Sequence, residues 1–146
     1  MSVTIAQICD AVKNYLSTAA SLKRSESYNQ LTEGINDYPL MQVYWQSIDC
    51  DWQSNTERTT FQGGVKQKDL VIHADLYGRP RSHLGEDNAA VTVLANEVVD
   101  LLEATGCPPF GLTGLKNFKW RGERVVFDYD GVLYAGIRFY VNIRVF

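Results

Sequence analysis

Apolar residues at the start of the chain recur with a helical period. Ile5, Ile8, Cys9, Val12, Tyr15, Leu16 and Ala19 follow i, i+3, i+4, i+7 spacing, which predicts a helix that buries one face. Thr4 and Gln7 are spaced as a capping box, and Val3 and Ile8 as the hydrophobic staple around it. The pattern fades past Leu22. Residues 23–38 are polar, include Gly34 and Asn36-Asp37, and hold Tyr28, Leu31 and Ile35 without a period; they read as a loop with some local structure.

Beyond this stretch the period changes to two. Pro39 opens a strand, at a position where a missing amide is tolerated. Met41, Val43 and Trp45 point one way, and Gln42, Tyr44 and Gln46 the other. Residues 48–64 are polar and end in Gly63-Gly64, as an extended hairpin arm or a flexible loop would. In the next strand Leu70, Ile72, Ala74 and Leu76 alternate with Asp69, Val71, His73, Asp75 and Tyr77, and Gly78-Arg79-Pro80 is expected to stop it. A second helix is expected from about Glu86 to Thr105, with Val91, Leu94, Ala95, Val98, Leu101 and Leu102 as its stripe. Glu86 and Asp87 suit the positive end of its dipole, Gly106 suits its C-terminal cap, and Pro108-Pro109 prevents continuation.

The chain ends in a predicted hairpin. One arm covers Leu115–Tyr129, with a break expected at Arg121-Gly122-Glu123, and Asp130-Gly131 is the turn. In the last arm, Val132–Phe146, Leu133, Ala135, Ile137, Phe139, Val141, Ile143 and Val145 make one apolar face. Tyr134, Arg138, Tyr140, Asn142 and Arg144 make the other. Helix, strands, helix, strands predicts a single α+β domain over 1–146. Its antiparallel sheet has four to five strands, with both helices packed on one face. With 146 residues, the chain is long enough to bury a core without staples.

Composition narrows the class. Hydrophobic residues make up 45% of the chain, which excludes intrinsic disorder. No apolar run approaches the roughly 18 residues of a membrane span, so no membrane partner is expected, and MSVTIAQICD lacks the marks of a secretory signal. Cys9, Cys50 and Cys107 are odd in number and far apart, which argues against disulfides or a zinc site and suits a reducing cytoplasm. The net charge of -3 is uneven. Residues 115–146 carry Lys116, Lys119, Arg121, Arg124, Arg138 and Arg144 against Glu123, Asp128 and Asp130, a net of +3, and the rest carries -6. Pairing of the two segments within the fold is the ordinary explanation.

Catalytic signals are poor, and no catalytic residue, metal site or cofactor is expected. His73 lies beside Asp75 on the outer strand face and reads as an exposed sheet residue, and His83 has no Cys or His at ligand spacing. Asp49, Asp51 and Glu57 read as a solvated loop rather than a cation site. Cys9 belongs to the helix stripe and reads as core. Gly78-Arg79-Pro80-Arg81 is a short basic turn with too few charges for more than a weak phosphate contact. The outer sheet face is unusual in gathering Tyr44, Tyr77, Tyr134 and Tyr140 with Arg138 and Arg144, residue types enriched at protein interfaces. Phe110 and Leu112, in a loop framed by Pro and Gly, either tuck into the core or anchor a partner. These eight residues are the candidate contacts.

The order of segments DYPLMQVYW, LVIHADLYGRPR, HLGEDNAAVTVLANEVVDLLEATG and DGVLYAGIRFYVNIRVF, after a capped N-terminal helix, resembles the tail terminator proteins of long-tailed bacteriophages. These are also called tail completion or minor tail proteins. The likeness covers residues 3–20 and 38–146 and lies in architecture and hydrophobic pattern. It implies a virion protein without catalytic residues, assembled in the host cytoplasm. It would form a ring of copies, usually a hexamer, that caps the tail tube, meets the head-side connector and lets DNA pass its lumen without sequence specificity. Another neck or head–tail joining protein is the nearest alternative. A small metal-dependent enzyme would show turnover that depends on metal, and a nucleic-acid-binding module would show affinity that falls with salt.

Overall fold

The computed structural model describes residues 3–19, 22, 24–26, 39–49, 68–80, 84–106, 108–129 and 131–145. Helix α1 (Ile5–Leu16) begins as its capping box dictates. The Gln7 amide donates to Thr4 Oγ1 at 3.2 Å, and the Thr4 amide donates to Gln7 Oε1 at 2.9 Å. Its stripe buries Ile8, Cys9, Val12 and Leu16. The three aliphatic side chains each contribute roughly 1.5–3 kcal/mol relative to exposure.

Five strands form one mixed sheet. They are β1 (Arg24–Glu26), β2 (Leu40–Asp49), β3 (Lys68–Pro80), β4 (Leu115–Tyr129) and β5 (Val132–Val145), in the order β1-β2-β3-β5-β4. The β1–β2 pairing is parallel and the others are antiparallel. Helix α2 (Leu84–Ala104) links β3 to β4 through a single 3-10 turn at Pro109–Gly111. Both helices lie on one face of the sheet, α1 against β2 and α2 against β3 and β5. The expected α+β class and the placement of both helices hold.

The core lies between these layers. Met41, Val43, Ile72, Ala74, Leu76, Phe139, Val141 and Ile143 face Ile8, Cys9, Val12, Leu16, Leu94, Val98 and Leu102. The Tyr15 hydroxyl donates to the Leu101 carbonyl at 2.6 Å. That carbonyl is among the last four of α2, which have no partner within the helix, so one bond joins the helices and satisfies an orphan acceptor. No helix among the described residues is long and apolar enough to cross a membrane.

Four expectations need correction. Strand β1 lies in the polar stretch read as a loop; the rest of that stretch, like most of 48–64, is outside the described residues. Gly78-Arg79-Pro80 does not end β3. The register slips between Tyr77 and Arg79, and pairing continues through Arg79↔Ala135 and Pro80↔Tyr134, as a bulge allows. Strand β4 runs unbroken through Arg121-Gly122-Glu123. Gly122 lies opposite Phe139, whose ring fills the missing side chain's place; a Cβ there would come within 2.8 Å of Phe139 Cε1. The apolar face of β5 also starts later than the pattern suggests, because Leu133 at the hairpin end is 43% exposed.

The two faces of β5 predict opposite responses. Val141 is fully buried and Asn142 is exposed. Val141→Asp is expected to cost more than about 3 kcal/mol and abolish a cooperative thermal transition, whereas Asn142→Asp should stay within about 0.5 kcal/mol of the parent. Thermal melts followed by circular dichroism check both.

Candidate contact face

The sheet face away from the helices is organised in rows across the strands. Antiparallel register sets Gln42, Asp75, Arg138 and Glu123 in one row, and Tyr44, His73, Tyr140 and Arg121 in the next. Asp69 and Arg144 face each other further along.

Asp75 is the centre of this face and is only 2% exposed. Arg138 grips its carboxylate with two prongs, Nε to Oδ1 at 2.7 Å and Nη2 to Oδ2 at 3.1 Å. The Tyr44 hydroxyl donates to Oδ2 at 2.6 Å. A carboxylate taken from water needs such partners, and the paired geometry is the strong form. The pairing holds the Arg138 guanidinium charged, well above its ordinary pKa, chiefly through the hydrogen bond to Asp75. Burial, and then the hydrogen bond to Asp75, push the Tyr44 phenol well above its ordinary value. Arg144 repeats the motif on Asp69 at 2.8 and 3.3 Å.

Aromatic rings cover the next row. His73 stands edge-on between Tyr44 at 5.5 Å and Tyr140 at 4.7 Å. The Arg121 guanidinium lies 3.8 Å over the Tyr140 ring, and the Tyr140 hydroxyl donates to Glu123 Oε1. That bond is the main reason the Glu123 carboxyl lies below its ordinary pKa. His73 was expected to be exposed, but these rings leave it 7% exposed. Its Nδ1 has no hydrogen-bond partner among the described residues. Burial first, then the nearby Arg138 charge, hold its pKa below the ordinary histidine value.

The other end of this face carries a small apolar cluster of Leu40, Tyr77, Phe127 and Tyr134. The Phe127 ring crosses Gly136 to stack on Tyr77 at 4.4 Å. A Cβ on Gly136 would come within 2.7 Å of Phe127 Cε2, so only glycine admits this crossing.

The eight candidate contacts therefore separate. Tyr44, Arg138, Tyr140 and Arg144 are half-buried on the outer face and engaged with its acids. Tyr77 and Tyr134 lie beside them but are 6% and 5% exposed, so they present no area to a partner and are corrected to core. Phe110 is also core, at 7% exposure, with its ring against Tyr15 and Phe118. Its φ of 56° is a left-handed conformation costing about 1–3 kcal/mol, held by the buried ring and by its amide donating to Thr105 Oγ1 at 2.9 Å. Leu112 is half-buried against the same core.

The remaining candidates lie mostly outside the described residues. Asp49 ends β2 opposite Asp69, while Asp51, Glu57, His83, Arg81, Cys50 and Cys107 lie outside the described residues. Among the described residues no three His, Cys, Asp or Glu side chains are grouped to hold a metal. Burial pushes the Cys9 thiol up to about 11, away from nucleophilic use. Arg79 of the basic turn is held by Asp87 in the first turn of α2, at 3.2 Å. The strand pattern does not single out Asp75, although Asp69 and Asp75 on one strand match Arg138 and Arg144 on another in spacing. The chain matches no protein-family model and no curated protein.

His73 generates a pH prediction. Its folded pKa lies below the unfolded value of about 6.5, so the unfolded chain takes up the proton first. Its contribution to stability is full above about pH 6.5 and is lost as pH falls through the lower folded value. Thermal melts between pH 7.5 and 5 should show His73→Phe losing less stability on acidification than the parent.

Proposed function

We propose that the chain is a structural virion protein, a tail terminator that forms a ring on the tail tube of a long-tailed bacteriophage. The observation that carries this reading is the placement of the resembling segments. DYPLMQVYW, LVIHADLYGRPR and the final hairpin coincide with β2, β3 and β5, and the intervening helical segment coincides with α2, in the expected order. The partners on this reading are further copies of the chain, a tail tube protein and a head-side connector, with DNA passing through the lumen.

Electron microscopy of the purified protein tests the reading. Rings of uniform copy number are expected, with monomer alongside them at low concentration. A population that stays monomeric at every concentration, by microscopy and by sedimentation, would contradict it.

A further inference from the structure

Charge is segregated by element in this fold. Helix α2 spans 21 residues without one Lys, Arg or His, and carries Glu86, Asp87, Glu97, Asp100 and Glu103. Arg79 answers the first two. Asp100 and Glu103 are exposed and make no ion pair among the described residues. They sit at the C-terminal end, where the helix dipole is already negative and no basic residue lies in the last turn. Val93, 56% exposed, lies on the same outward stripe.

Strand β4 has the opposite excess, with Lys116, Lys119, Arg121 and Arg124 against Glu123 and Asp128. It is an edge of the sheet and exposes Lys119, Arg121 and Arg124. Arg121 is paired with Glu123, but Arg124 donates only to the neutral Asn88 amide, at 2.8 Å, and Lys119 has no partner among the described residues. Val126, 52% exposed, shares the helix-side face of β4 with Arg124, while Lys119 lies on the outer face, so the two cations flank the free edge from either side. Edge strands commonly carry charge to repel other strands. That role accounts for charge on β4 but not for a helix of purely opposite sign on the same chain. Among the described residues the two surfaces do not neutralise each other. The β5 arginines go to β3 aspartates, Arg79 goes to the acids at the N-terminal end of α2, and no ion pair among the described residues reaches Asp100 or Glu103.

We propose that these two surfaces are complementary halves of one contact between copies. The acidic outward stripe of α2, with Asp100, Glu103 and Val93, docks on the basic β4 edge of the next copy, with Lys119, Arg124 and Val126. Two different patches meeting head to tail make a heterologous contact, the kind that repeats around a ring. The inference rests on the reading of the chain as a ring subunit and names the surfaces that build it. Exposed charges make such a contact sensitive to screening beyond about 8 Å at physiological salt.

A charge swap tests it by sedimentation of the full chain, with circular dichroism as the check on folding. Asp100→Lys with Glu103→Lys should abolish assembly, as should Lys119→Glu with Arg124→Glu, and raising salt should weaken the wild-type assembly. All four changes in one chain should restore assembly, and mixing the two double variants should yield mixed oligomers. If wild type assembles and either double variant still assembles, the surfaces are wrong and the ring reading stands. Loss in both without rescue by the swap also overturns the pairing, because the basic edge then meets some other acidic partner. If wild type itself never assembles, the ring reading fails and this inference with it.

Discussion

A carboxylate buried in the middle of a sheet dictates much of this structure. Asp75 is almost sealed from water, and an unanswered charge there would cost several kcal/mol. Arg138 and Tyr44 answer it from the strands on either side, so one residue binds β2, β3 and β5 together. The helical face of the sheet cannot do this alone. Its apolar residues would stay inside if a strand slipped by two positions, since side chains repeat their face every second residue. The Asp75–Arg138 and Asp69–Arg144 pairs admit only the register observed. The ionic pairs therefore specify the register, while the hydrophobic core supplies most of the stability.

Around that centre the outer face closes on itself. His73 is held between two tyrosines, Arg121 covers Tyr140, and Phe127 reaches over Gly136 to Tyr77. A face rich in Tyr and Arg resembles an interface by composition. Here the arginines are occupied by aspartates and the inner tyrosines by each other. Exposed charge without an ion pair among the described residues stands instead at Asp100 and Glu103 on α2 and at Lys119 and Arg124 on β4.

The helices, the faces of the long strands and the terminal hairpin were legible in the chain because each follows a clean period. The 3.6-residue stripe of α1 and its capping box left little choice. What the pattern could not show was whether a face is covered. Alternation places His73, Tyr77 and Tyr134 on the outer face correctly, but their burial comes from rings on neighbouring strands, which depends on register. Strand β1 escaped notice because three residues in a polar stretch have no period, and only pairing with Leu40–Gln42 makes them a strand. Glycines misled at positions 78 and 122, where a bulge and a facing ring take the place of a break. Spacing also carries the register: two acids on one strand and two arginines on another, six apart in each case, fit a single antiparallel pairing.

The measurement that bears most directly on this account is a double-mutant cycle on Asp75 and Arg138, using alanine at each position and denaturant unfolding. If the pair anchors the sheet, each single change should cost nearly as much as both together, with a coupling of about 2 kcal/mol or more. Costs that simply add, within about 0.5 kcal/mol, would mean that the pair is incidental and that the register is set elsewhere.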